Sequence, residues 1–121
     1  MLPASFRLTQ EKDFALIYKK GRRVQGRSLR IIVARSNQNV NRFGFVVSKK
    51  DLPLSTQRNR LKRILRDEVR VHIKAIKAGH DIVIQGRGGA KHAPPSEIRA
   101  ELIQLIRRLG LITWKKYLLA S

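Results

Sequence analysis

The stretch from Ser55 to Ala78 constrains the fold most, because its periodicity describes a helix with two unlike faces. At 100° per residue, Leu61, Ile64, Leu65, Val69, His72, Ile73 and Ile76 fall on one side. Lys62, Arg63, Arg66, Arg70, Lys74 and Lys77 fall on the other. Ser55 or Thr56 opens the helix and Gly79 terminates it. The apolar stripe needs a second layer to cover it. The opposite face is crowded with like charges: "QRNRLKRILRDEVR", residues 57–70, holds six basic side chains and two acidic ones. Asp67 sits at the edge of the cationic face and Glu68 turns toward the apolar side, so neither neutralises it. A solvated face is the bland reading. Against it, unpaired like charges on one helix face are destabilising alone. Phosphates reverse that sign, and the planar fork of Arg matches their oxygens.

Composition points the same way. The chain has 121 residues, the size of one domain with one core, and is 42% hydrophobic, so it is not a disordered basic tail. It carries 27 Lys and Arg against 8 Asp and Glu, net +19. That excess opposes compaction and implies an anionic partner, nucleic acid before membrane. Residues 1–66 hold 17 basic and 3 acidic side chains, and residues 67–121 hold 10 and 5, so the first half is expected to build most of the surface. There is no cysteine, which excludes disulfides and thiolate zinc sites and fits a cytoplasmic protein. No apolar run reaches the roughly 18–20 residues of a membrane span. "MLPASFRLTQEKDF" lacks the apolar centre of a signal peptide. No membrane partner is expected.

Along the chain, Thr9 is a plausible N-cap for a first helix over 10–20, closed by Lys19, Lys20 and Gly21. "SLRIIVARS", 28–36, and "RFGFVVSKK", 42–50, read as strands around a polar turn, hence a hairpin over 28–50. "DLPLST" is a loop. "DIVIQ", 81–85, reads as a short buried strand and "GRGGAKHAPP", 86–95, as a loop. A third helix over 96–110 carries Ile98, Leu102, Leu105 and Leu109 on one stripe. The order is helix, two or three strands, helix, strand, helix, taken with three strands as α-β-β-β-α-β-α: a single α+β domain, an α/β two-layer sandwich. Its mostly antiparallel sheet of about four strands is covered by three helices.

No constellation points to catalysis by the protein's own side chains. "GRGGAK" fails both phosphate-loop patterns: it lacks the Gly-Lys pair, and Lys91 stands where the dinucleotide fingerprint needs Gly. It reads as a flexible loop, with RNA backbone contact as the alternative. His72, His80 and His92 have no metal-ligand spacing, so neither a metal site nor a bound cofactor is expected. Asp67 and Glu68 are adjacent on a helix and diverge, which rules against a two-carboxylate site. Phe14 and Tyr18 share one face of the first helix. They are either core residues or a stacking platform for unpaired bases.

The run Arg58-Asn59-Arg60, an apolar residue, Lys62-Arg63, two apolar residues and Arg66 resembles the signature of the bacterial ribonuclease P protein component. "FGFVVSKK" resembles the strand before it, "DFALIYKKG" the first-helix motif and "HDIVIQGR" the later strand. The resemblance covers about residues 6–109 and leaves 110–121 as a C-terminal extension. It departs at "DLPLSTQ", which lacks the Gly and Ala of that loop, and at Ile32, where some members carry an aromatic.

The resemblance implies the accessory subunit of an endoribonuclease that removes the 5′ leader from precursor tRNA. The partners would be the ribonuclease P RNA subunit and precursor tRNA. Mg²⁺ and the catalytic site would belong to the RNA. The protein would be monomeric within the ribonucleoprotein. Lys49, Lys50, Arg58, Asn59, Arg60, Lys62, Arg63, Arg66 and Arg70 would face the catalytic RNA. Phe14, Tyr18, Ile32, Lys62 and Arg63 would line the leader cleft. The family's left-handed βαβ crossover is implied as well. Two readings stand beside this one. The first is a structural RNA-binding protein such as a ribosomal component. The second is a DNA-binding regulator using 58–77, but "FGFVVSKKDLPL" offers no preceding short helix for it.

Overall fold

A computed structural model describes Leu8 and residues 11–112. Thr9, expected as an N-cap, and residues 113–121 lie outside the described residues. The elements are α1 (Glu11–Lys20), β1 (Arg22–Gln25), β2 (Leu29–Arg35), β3 (Arg42–Val46), α2 (Ser55–His72), β4 (His80–Gly86) and α3 (Pro95–Arg108), with short 3-10 turns at Ile73–Ala75 and Gly88–Ala90. The element order is the expected one.

The strands form one sheet in the order β1-β2-β4-β3. β1 pairs antiparallel with β2, and β2 antiparallel with β4, while β3 runs parallel to β4. The expected hairpin over 28–50 is therefore corrected: β2 and β3 never pair, because β4 lies between them. Burial explains the insertion. Ile82, Val83 and Ile84 are all fully buried, so β4 is apolar on both faces and belongs in the centre. The hairpin that does form is β1–β2, and β1 is too short and too polar to stand out in the sequence. The parallel β3–β4 pair needs a crossover, which α2 provides.

Strand alternation sorts the helices onto opposite faces. Ile31, Val33, Phe43, Ile82 and Ile84 pack with Leu61, Ile64, Leu65 and Val69 of α2 and with Ile98, Leu102, Leu105 and Ile106 of α3. Ile32 and Val83 point the other way, toward Ile17 of α1 and Leu8. The apolar stripes read from the sequence for the second and third helices are thus the buried ones.

Both ends of α2 differ from expectation. Leu54, not Ser55 or Thr56, is the N-cap, and no side-chain oxygen caps the helix. Instead Gln57 Oε1 accepts from Leu54 N at 3.3 Å, and Arg58 Nη1 donates to the carbonyls of Leu52 and Pro53, both at 2.9 Å. At the far end the α-helix stops at His72, a 3-10 turn follows, and Ile76 is extended. Ile76 stays buried, so the apolar rhythm runs on past the true helix end. Gly79 then takes φ +89, a conformation that favours glycine. Buried Asn41 secures this corner: its Nδ2 donates to Lys77 O and its Oδ1 accepts from His80 N, each at 2.8 Å.

The glycine-rich loop holds a 3-10 turn at Gly88–Ala90 that packs on the segment before β2. Gly89 lies so close to the backbone of Arg27 that a Cβ would overlap it. Arg87 N donates to Ser28 O at 2.8 Å, and Arg87 Nη1 to Gly26 O at 2.6 Å. Glu101 of α3 accepts from Ser28 N at 3.0 and 3.2 Å. The glycines permit close approach of three segments.

Candidate nucleic-acid interface

Two surfaces of different chemistry emerge from the two faces of the sheet. The first is the outer side of α2. With its apolar stripe fixed on the sheet, the helix must turn Arg60, Arg63 and Arg70 into solvent. Lys49 and Lys50 are also exposed in the turn before it, as is Asn59 within it. Among the described residues, none of these makes an ion pair. Arg66 is half-buried, with its guanidinium carbon 5.8 Å from the centre of the Phe45 ring, within cation–π range. Phe45 in turn stacks on Phe43 with centroids 6.5 Å apart. Asn59, Arg63, Arg66 and Asp67 line a hollow of about 440 Å³ on this side. Asp67 lies at the edge of the basic face as the periodicity placed it. Arg58 has a second task, because its bonds to Leu52 and Pro53 hold the loop that starts the helix.

The second surface is the cleft between α1 and the open end of the sheet. Phe14 and Tyr18 are each half-buried, packed on the cluster of Ile17, Ile32 and Val83. Both readings of this aromatic pair are therefore partly met: one side of each ring packs inward and the rest reaches the surface. Phe14 sits over Gly44, which has no side chain to exclude it. Tyr18 Oη accepts from Gln85 Nε2 at 3.0 Å. Next to this pair, Arg30, Val46, Ser48, Asp51, Gln85, Gly86 and Arg87 enclose a cavity of about 330 Å³.

Ile32 does not line this cleft. It is completely buried under α1, because strand alternation points it at Ile17, and it supports the floor from below. Lys62 and Arg63 are carried by the helix on the opposite face of the sheet.

Sequence reading missed Arg30, Gln85 and Arg87, which meet only through strand register. It also missed an ion-pair cluster beneath α1. Arg42 donates from Nε and Nη2 to the two carboxylate oxygens of Asp81 at 2.9 and 2.8 Å, and from Nη1 to Asp13 at 3.4 Å. The hydrogen bonds that it donates to Asp81 hold the guanidinium pKa above its ordinary value, against the opposing effect of burial. This ties α1 to β3 and β4 and so fixes the cleft wall. Among the described residues no cluster of three or more His, Asp or Glu is placed to hold a metal ion. No described helix is long and apolar enough to cross a membrane.

Comparison with known proteins places this geometry. The family model described as Ribonuclease P matches residues 2–110. The ribonuclease P protein component of Alkaliphilus metalliredigens is 37% identical over 107 residues, covering 88% of this chain and 96% of that protein. The solved Staphylococcus aureus RNase P protein superposes with a TM-score of 0.83 at 29% identity, covering 89% of this chain and 98% of that one. The Thermotoga maritima RNase P protein gives 0.77 at 30% identity, with 84% and 96% covered. The chain belongs to the bacterial ribonuclease P protein family, the protein part of an endoribonuclease that processes the 5′ end of tRNA.

Proposed function

We propose that this chain binds the ribonuclease P RNA along the outer face of α2 and receives the single-stranded 5′ leader of precursor tRNA in the cleft beside α1. The observation that carries the reading is the division of α2. Leu61, Ile64, Leu65 and Val69 are buried, while exposed Arg60, Arg63 and Arg70 have no carboxylate partner among the described residues. Folding thus presents cations that only an external anion can neutralise. RNA phosphates would do so with release of counterions, so affinity falls with salt by roughly 0.7–0.9 log unit per log unit for each phosphate bound.

In this reading the RNA holds Mg²⁺ and performs the cleavage. The protein positions substrate and screens phosphate repulsion, allowing the reaction at lower Mg²⁺. It acts as one copy per ribonucleoprotein in the cytoplasm. The test is reconstitution. The purified chain is mixed with a bacterial ribonuclease P RNA and precursor tRNA at low Mg²⁺, and leader cleavage is compared with RNA alone. Enhanced cleavage supports the reading, and cleavage equal to that of RNA alone removes its main support.

A further inference from the structure

Strand register builds a line of side chains that no sequence motif contains. Gln25 is paired with Arg30, Arg30 with Gln85, and Gln85 with Val46. Directly paired residues point to the same face. These four therefore form one row across all four strands, on the face that α1 covers only in part. The row spans three inter-strand spacings, roughly 14 Å. Tyr18 stands over it through its bond to Gln85.

Two hollows meet on this row. One is the 330 Å³ cavity of the cleft, bounded by Arg30 and Gln85. The other, of about 480 Å³, is lined by Arg23, Val24, Gln25, Arg30 and Arg108. Arg30 lines both, so they adjoin at its side chain and are read as one trough. It leaves the cleft, passes over the edge strand β1 and reaches the last turn of α3. The second hollow has three arginines and no carboxylate in its lining. Arg30 Nε donates to Gln25 Oε1 at 3.1 Å, which holds the side chain along the row. Among the described residues its terminal nitrogens have no acceptor. Arg23 donates to Tyr18 O and so fixes the end of α1 against β1. Arg108 is exposed, and its side chain makes no hydrogen bond or ion pair with the described residues. Cations on an edge strand also discourage strand-to-strand aggregation. That role does not account for Arg30 on interior strand β2, nor for Arg108 on a helix.

We propose that this trough is an exit path for single-stranded RNA: the leader, after passing Tyr18, crosses the Gln25–Arg30–Gln85 row and leaves over β1, with Arg30 and Arg108 contacting its phosphates. The proposal rests on the cleft reading given above and extends it to leader nucleotides farther from the cleavage site. A row of two amides and one arginine offers phosphate and general polar contacts rather than a pattern matched to one base, which makes the path tolerant of sequence. Its contribution therefore depends on leader length.

The experiment uses the reconstituted holoenzyme, mature tRNA and two precursor tRNAs. One has a leader just long enough to fill the cleft, and the other a leader several nucleotides longer. Arg108→Ala, Arg30→Ala and Phe14→Ala are compared with the parent, and thermal melts check each fold. Arg108→Ala is expected to weaken the long-leader complex several-fold and the short-leader complex less. It should also lower the salt slope of long-leader binding by about 0.7 for each phosphate it no longer holds. If Phe14→Ala weakens long-leader binding but Arg108→Ala and Arg30→Ala do not, the exit path is wrong and the cleft stands. Equal losses on both substrates place Arg108 against another part of the complex and also overturn the path. If no variant separates leaders from mature tRNA, the cleft reading itself fails.

Discussion

The ring of Phe14 occupies the space that a side chain on residue 44 would need: a Cβ on Gly44 would lie 2.5 Å from Phe14 Cε1 and 2.6 Å from Cζ. A glycine in a strand ordinarily weakens it, so its presence in β3 is explained by what lies above it. Gly44→Ala is expected to push the ring outward, cost about 1–3 kcal/mol, and weaken leader binding. A thermal melt and leader binding together check this. A stabilised variant with unchanged binding would show that the ring moves aside freely.

Phe14→Ala separates the two readings of the aromatic pair. If a base stacks on the ring, substrates with long leaders lose ~1–3 kcal/mol of affinity while mature tRNA loses little. Titration of both RNAs at matched salt measures the difference. A destabilised fold with equal losses would assign Phe14 to packing alone.

The arginines of α2 are expected to divide into two groups. Arg58→Ala removes the bonds to Leu52 and Pro53 and should lower stability by about 1–2 kcal/mol, shifting the denaturation midpoint. Arg60→Ala, Arg63→Ala and Arg70→Ala remove no side-chain bond among the described residues, so their stabilities should stay within about 0.5 kcal/mol of the parent. Their effect should appear in RNA affinity, with the salt slope reduced by roughly 0.7–0.9 for each phosphate left unneutralised. Large stability losses from the exposed three would mean that they have protein partners in solution.

Arg42 and Asp81 test the cleft wall. Asp81→Asn leaves Arg42 with Asp13 as its remaining carboxylate and should cost ~2–3 kcal/mol, seen in a denaturant titration. The pair's pH dependence follows from the sign of the shift. A cation whose folded-state pKa is raised stabilises fully below its ordinary pKa and loses that contribution only as pH climbs through the raised value. Arg42 itself should therefore cause no loss of stability between about pH 5 and pH 9, and a midpoint that tracked its presence within that window would contradict the assignment.

The sequence reveals local and periodic features of this fold better than its long-range pairings. The α2 faces were legible because helical spacing depends only on neighbouring residues, and burial of Leu61, Leu65 and Val69 agrees with that reading. The end of α2 was not, since Ile76 keeps the apolar rhythm in an extended conformation. The sheet order was missed because β2 and β3 are neighbours in sequence, whereas their shared partner β4 begins 34 residues after β3 ends. Ile32 looked available to a ligand until strand alternation was fixed. The Gln25–Arg30–Gln85 row was invisible for the same reason: its members come together only once three registers are set. The basic face came from helical spacing and charge and the aromatic pair from its place on one helix face, whereas their assignment to the catalytic RNA and the leader came from the family resemblance.

The central position of β4 also bears on the order in which the molecule can be made. A chain grown only as far as α2 already holds β1, β2 and β3, yet it lacks the strand that joins them. Until residues 80–86 arrive, the β1–β2 hairpin and the lone β3 share no hydrogen bonds, and the apolar side of α2 has only half a floor. Contacts that depend on a late, distant strand form slowly. During that interval the cationic and apolar faces of α2 are both open to the surroundings. A nearby polyanion could then occupy one face before the sheet closes over the other, so assembly with RNA and completion of the fold can overlap in time.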